Sequence, residues 1–313
     1  MHSQTKIDSV IDSYYAEKVT TTKDTNYIDF EVKTWSLRAN STFKTNSFSV
    51  FSGDNRLSYR PNNPFSIGFG FAYYPIIIDF GFNIKPKAKD QTQRFDLQAD
   101  VMWRNSIINF ILQRYQGFNV INENGENLGF RDDISNLTLD LGYAYALNGE
   151  RMSLSAVLSG SQKQKKGTGS VIVGGFFTYY NIQSDSSMVP SIEENNYTPI
   201  YGITESLNIG GGINIGYGQV FVLPKNFFIY AAIIPGIGLL YKDIKSPTIN
   251  YKDNNPLFFQ LNVRFAAGYS GSNYYLILNL SDNLSYTVFG NEFKSTINIS
   301  KFKLVFGYKF NKS

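Results

Sequence analysis

From Trp35 to the C-terminus, large apolar residues occupy every second position with few interruptions. In "FSIGFGFAYYPIIIDFGFNIK", Phe65, Ile67, Phe69, Phe71 and Tyr73 alternate with Ser66, Gly68, Gly70 and Ala72. After Pro75, Ile76, Ile78, Phe80, Phe82 and Ile84 alternate with Ile77, Asp79, Gly81 and Asn83. Successive side chains of a strand point to opposite faces. Such a chain therefore forms a sheet with one bulky apolar face and one small, polar face.

The same pattern recurs along the chain. In "RFDLQADVMWRN", Phe95, Leu97, Ala99, Val101 and Trp103 oppose Arg94, Asp96, Gln98, Asp100 and Met102. In "SNLTLDLGYAYAL", Leu137, Leu139, Leu141 and Tyr143 oppose Asn136, Thr138, Asp140 and Gly142. "SLNIGGGINIGYG" and "FFQLNVRFAAGY" repeat it, with Arg264 on the polar side of the latter. Each segment has about the ten residues that a tilted strand needs to cross a bilayer. Short connections are expected at Tyr74-Pro75, Arg104-Asn105, Asn148-Gly149, Leu223-Pro224-Lys225 and Gly271-Ser272. Longer polar connections are expected near 85–93, 118–134, 162–169, 184–204 and 243–256. The stretch 184–204 is long where strict alternation wants a short turn, so an extra strand or a small helix is expected there. The periodicity predicts about 12 strands, with 14 as the alternative, and apart from that stretch no helix is evident after residue 32.

A soluble sandwich alternates too, and three features favour the membrane. The polar face is built from Gly, Ser, Asn, Gln and Ala with single charges, which suits a crowded barrel interior better than a solvated surface. Aromatics gather at strand ends, as at Tyr73, Tyr74, Trp103, Tyr115, Tyr143, Tyr145, Tyr179, Tyr180, Tyr241, Tyr269, Tyr274 and Tyr275; interfacial girdles have this placement. The chain closes on "KFKLVFGYKF", whose alternating aromatics resemble the terminal strand signal of outer-membrane barrels. Mean hydropathy is −0.21 although 16% of residues are aromatic, which alternation explains. No window approaches the roughly 18 apolar residues of a membrane helix. The expected fold is all-β: a transmembrane, antiparallel, up-and-down barrel over 33–313, in the bacterial outer membrane.

Residues 1–32 read as a separate polar segment on the periplasmic side. Ile7, Val10, Ile11 and Tyr14 have the spacing of a short amphipathic helix. "MHS" reads as a remnant, with Gln4 near a mature N-terminus after loss of a secretory signal.

The segments from Ser36 to Ile84 and "DSSMVPS" resemble an uncharacterised Bacteroidetes outer-membrane family, classed as a domain of unknown function. The box Tyr59-Arg60-Pro61-Asn62-Asn63-Pro64, followed by the Gly-alternating strand, is the most specific part, and "VLPKNFFIYAAIIPGIGL" matches a later section. The resemblance runs from about Thr34 to the C-terminus. It implies an outer-membrane barrel and a signal-cleaved precursor, and it carries no known activity and no functional residues.

Chemistry is sparsely supplied. The one His, His2, stands beside the start Met, and Cys is absent. Acid–base catalysis by His and metal sites of His or Cys are thereby removed; carboxylate-only chemistry is left, with Asp96 and Asp100 on one strand face, and no enzyme, cofactor or metal is expected. "NENGENLGFRDD" fits no complete calcium-loop spacing and reads as a polar surface loop. The net charge of +4 is dispersed; nucleic-acid binding would need it on one face. The expected partners are outer-membrane lipids and other envelope proteins.

Six polar residues on the lumenal face are the candidate functional groups: Asp79, Arg94, Asp96, Asp100, Asp140 and Arg264. Asp79 needs a partner there, and Arg60 or Arg94 are the candidates. Tyr59, Arg60, Pro61 and Pro64 form a candidate structural box, because each proline fixes φ and removes a donor, interrupting regular pairing. Two roles follow: an accessory or structural subunit of an envelope complex, or a narrow pore or transporter for a small or hydrophobic solute.

Overall fold

A computed structural model describes residues 23–29, 35–73, 76–83, 90–158, 160, 162–198, 200–246, 250–252, 255–289 and 293–310. The expected helix at Ile7 to Tyr14 and the turn at Tyr74-Pro75 lie outside the described residues.

Twelve strands close into one ring, each hydrogen-bonded to its neighbours in chain order. They are β1 (Trp35–Ser52), β2 (Phe65–Tyr73), β3 (Ile76–Asn83), β4 (Gln93–Trp103), β5 (Ser106–Ile121) and β6 (Asn127–Ala146), then β7 (Thr168–Gln183), β8 (Glu205–Leu223), β9 (Phe227–Lys245), β10 (Leu257–Ser270), β11 (Tyr274–Phe289) and β12 (Phe293–Phe310). Every pairing is antiparallel, and β12 returns to β1 in register from Phe293↔Ser52 to Phe310↔Trp35. The rings of Trp35 and Phe310 stack at 4.3 Å where the seam ends. The count of 12 holds for the ring; two more short strands, Asn55–Arg60 and Asn250–Lys252, add to this sheet outside it.

The alternation partitions as the sequence demands. Phe69 is 59% exposed on the outer face and Ile213 70% exposed, while their chain neighbours turn inward. Large exposed apolar residues from all twelve strands form this outer face, and closure pairs the backbone groups that hydrocarbon could not solvate. The chain is thus an outer-membrane β-barrel. Trp103, Tyr73, Tyr274 and Tyr308 stand outward at one rim. Tyr115, Tyr180 and Tyr275, expected in the girdle, instead point into the lumen and are fully buried. Their parity along the strand, not their nearness to a strand end, decides the side.

Both ends of the lumen are filled, by different means. The rim that holds both ends of the barrel chain has short turns between β4 and β5, β8 and β9, and β10 and β11; short turns mark the periplasmic side. The exception is 147–167. Here Asn148-Gly149 is not the hairpin that its sequence suggests. Asn148 donates from its backbone N to Ser170 Oγ (2.9 Å) and from Nδ2 to the Gly169 carbonyl (2.9 Å). Gly149 lies against Asn105, where a Cβ would overlap that side chain. The chain then turns inward as the helix Leu154–Leu158, contrary to the helix-free expectation, with Ser153 Oγ accepting from Ala156 N (3.0 Å) as its cap. Met152, Leu154 and Val157 join lumenal residues such as Ile107, Val220, Phe228 and Tyr275 in one buried cluster. Gln164 fastens the return, donating to the carbonyls of Arg151 (2.6 Å) and Lys166 (3.0 Å). Ile28–Asp29 pairs with Lys163–Gln164. Lys23 is driven in against the Arg104 and Gly149 carbonyls and Asn105; burial lowers its ammonium to about 8, opposed by Glu150.

At the opposite rim, 184–204 carries the short 3-10 helix Ser191–Asn196, not a strand. Met188, Val189, Tyr197 and Ile200 pack on Phe48, Tyr59, Phe118 and Ile134. The polar run "NENGENLGFRDD", expected as a loop, is mostly strand: β5 and β6 run on past the membrane to a tight turn where Asn122 Oδ1 accepts from Asn124 N and Glu126 N. Asp133 is held by Arg131 at 2.7 Å.

A charge on the outer face is expected to unfold the barrel. Phe69→Arg places a guanidinium in mid-strand against lipid and should cost about 2–4 kcal/mol. Urea unfolding from phospholipid bilayers measures it, and an unchanged midpoint would contradict the assignment of this face.

Candidate functional site

Between the two apolar clusters lies a belt of polar and charged side chains around a cavity of about 180 Å³. The strands place it by parity alone, since each member sits one residue from a lipid-facing apolar side chain.

Asp79 on β3 is the centre of one network. Arg38 of β1 approaches it through Nε (3.0 Å to Oδ1) and Nη2 (3.2 Å to Oδ2), and Lys303 of β12 donates to Oδ2 at 2.6 Å. The expected partners Arg60 and Arg94 are both elsewhere. Arg60 is exposed beyond the rim. Arg94 donates through Nη1 to the Pro64 carbonyl at 2.8 Å. Gly70, in register with Asp79, makes the network possible. A Cβ at Gly70 would overlap the Asp79 carboxylate.

Asp96 anchors a second network. It accepts from Lys44 (2.9 Å), Gln113 (2.8 Å) and the Tyr115 hydroxyl (3.2 Å). Arg94 lies 4.0 Å from it. Asp100 accepts from Asn109, whose Oδ1 in turn accepts from Arg264 Nη2 (3.3 Å). Asp140 accepts from Thr178. Of the six lumenal candidates, Asp79, Asp100, Asp140 and Arg264 border the cavity. Asp96 and Arg94 stand nearer the rim, where they brace Lys44 and the chain before β2.

The box residues belong to that rim. Tyr59 is fully buried, stacks on Phe48 at 4.3 Å, and donates to the Met188 carbonyl at 2.9 Å. Pro61 is buried, and the Pro64 carbonyl also accepts from Lys44 N (2.8 Å). Asn62 and Thr92 exchange hydrogen bonds at 3.0 and 2.9 Å. The box thus joins the first long connection to the 184–204 cap.

Sequence reasoning missed the cations that complete the belt: Arg38, Lys44, Lys301 and Lys303. In "KFKLVFGYKF" the eye follows Phe302, Leu304, Phe306 and Tyr308 to the lipid. The same alternation places Lys301 and Lys303 in the lumen, and that signal was available.

The family described as a domain of unknown function (DUF4421) matches residues 22–310. No curated protein matches the chain. Among solved structures, the outer membrane protease OmpT from Escherichia coli is similar with a TM-score of 0.45 at 10% identity, over 92% of this chain and 100% of that one. An outer membrane channel from Pseudomonas putida F1 gives 0.34 at 12% identity, over 92% and 99%. The outer membrane protein OprG from Pseudomonas aeruginosa gives 0.27 at 10%, over 91% and 99%. These are likenesses of fold. They correct one expectation: the chain cannot be set down as a non-enzyme, because a protease stands among the barrels it is similar to. The physical weakness of that expectation is that it gave too little weight to carboxylate chemistry, since carboxylates and lysines carry protons as His does.

Removing the negative charge of Asp79 leaves two buried cations facing each other. Asp79→Asn is expected to destabilise the barrel by about 3–5 kcal/mol, as for one partner lost from a buried ion pair. Adding Lys303→Met should recover part of that loss. Urea unfolding in bilayers measures both, and equal midpoints for the single and double variants would refute the network as drawn.

Proposed function

We propose that this chain, which belongs to the DUF4421 family, is a stoppered barrel that serves as an accessory or structural component of the bacterial envelope. The observation that supports this most is the filling of the lumen. The cluster around Met152, Leu154 and Val157 draws lumenal residues from eleven of the twelve strands, and hydrophobic packing on that scale resists the entry of water. A barrel of this strand number lies between packed eight-stranded barrels and open sixteen-stranded porins. Here the width left over is occupied by the chain's own connections.

In this reading the binding surfaces are the rims. The periplasmic one offers residues 23–29 with the 147–167 return, and the far one offers the 184–204 cap held by Tyr59. Ile192, 78% exposed on that cap, is a contact point for a partner. The likeness to Bacteroidetes envelope proteins with a YRPNNP-type box belongs to the same proposal, the box being a brace for the cap. The second reading, a narrow path for a small solute, is favoured by the polar cavity at mid-lumen; it requires the periplasmic stopper to move.

Planar-bilayer recording tests the two. The intact protein should be silent, and replacement of residues 152–162 by a Gly–Ser segment of the same length should produce stepwise currents. Steady conductance from the intact protein would overturn the stoppered reading and favour the path.

A further inference from the structure

The charges around the cavity do not balance. Arg38, Lys44, Arg264, Lys301 and Lys303 line it, against Asp79, Asp100 and Asp140. Asp79 is engaged by Arg38 and Lys303, and Lys44 is engaged by Asp96 from nearer the rim. Two cations remain. Among the described residues, neither Lys301 nor Arg264 forms an ion pair. Each has an amide oxygen instead, Gln98 Oε1 for Lys301 and Asn109 Oδ1 for Arg264, both at 3.3 Å. Those are long for charge-assisted hydrogen bonds.

The register makes this concentration of charge systematic. Arg264 of β10 pairs with Ser281 of β11, Ser281 pairs with Lys301 of β12, and Lys301 pairs with Lys44 of β1. Paired residues share a face, so one row across four neighbouring strands carries three cations and a hydroxyl into the lumen. Like charges placed directly opposite, as Lys301 and Lys44 are, repel. Buried cations short of counter-charge cost still more. A further anion in the row would relieve both. Asn214, Asn279 and Asn283 also border the cavity, and each has a buried carbonyl oxygen without a partner among the described residues. An amide turned end for end presents N–H donors in place of that oxygen.

We infer that the cavity is a binding site for a small oxyanion, a phosphate or a carboxylate, held between Lys301 and Arg264 with the Ser281 hydroxyl as a further donor. A cavity of about 180 Å³ has room for about a dozen waters at one probe sphere each, so it takes an ion of this size with part of its hydration. The inference goes beyond the stoppered-barrel reading and is independent of conductance, because a silent barrel and a conducting one can both hold the ion.

The test is equilibrium dialysis of the detergent-purified full chain against radiolabelled inorganic phosphate and, separately, acetate, with the heat-modifiable gel shift confirming folding. One probe or both should bind saturably, one ion per barrel. The tighter one identifies the oxyanion. Lys301→Gln and Arg264→Gln should each weaken binding by at least about tenfold, whereas Lys301→Arg should retain most of it. Failure of both probes to saturate on folded protein would overturn the inference, and so would binding unaffected by the two glutamine variants. If those variants do not fold, crystals of the unaltered chain soaked in selenate decide. An anomalous peak at hydrogen-bonding distance from Lys301 and Arg264 supports the site, and a peak confined to other positions, or none, overturns it.

Discussion

The seam between β1 and β12 is the constraint on which everything else rests. Eighteen paired positions, from Trp35↔Phe310 to Ser52↔Phe293, join the first barrel strand to the last. Without them two strand edges would lie in hydrocarbon with their N–H and C=O groups unmet, at several kcal/mol for each group. With them the sheet has no edge, the outer face presents large apolar side chains from all twelve strands, and the interior takes the charged belt around the cavity. The stacking of Trp35 on Phe310 seals the seam at the periplasmic rim. Phe310 thus has a mechanical part in the closure.

A closed wall then poses a volume problem, solved differently at three depths. Near the periplasmic rim the chain folds its own connection 147–167 inward and packs it as a core. At mid-depth, long charged side chains reach across the lumen. Arg38 and Lys303 meet at Asp79, and Gly70 yields the space for that carboxylate. Towards the far rim, aromatic residues take over, with Phe48, Tyr59 and Phe118 beneath the 184–204 cap. The glycines of the lumenal face are therefore not mere fillers of a narrow space. At Gly68 and Gly174 a Cβ would collide with a neighbouring backbone carbonyl, so these positions let the strands coil tightly enough to close.

The wall was legible in the sequence because its physics is local: period two, strand length and turn residues say which side faces lipid and how many strands there are. Parity also locates every lumenal charge. What parity cannot supply is the partner across the lumen, which depends on register and on closure between residues far apart in the chain. Asp79 illustrates this, since its partners come from β1 and β12 and not from the nearby Arg60 or Arg94. The stopper was illegible for a different reason. Asn148-Gly149 carries the local signal of a hairpin, yet its amide and its lack of a side chain serve to begin an inward excursion. The signal for that excursion, Met152 to Leu158, is an ordinary apolar run that means nothing until there is a lumen to fill.

The charged belt and the two apolar ends explain one another. A lumen filled throughout with apolar side chains would need no ion pairs and would be more stable for it. Here strong charges persist at mid-depth, in a region that the end clusters partly desolvate, and their signs do not cancel. Ion pairs alone could have neutralised the belt, since Asp282 lies on β11 beside Ser281 of the cationic row. Parity turns Asp282 away from that row, and it is engaged by Ser300, its own neighbour in register. The excess positive charge is thus laid down by the strand pattern itself, around the mid-lumen cavity.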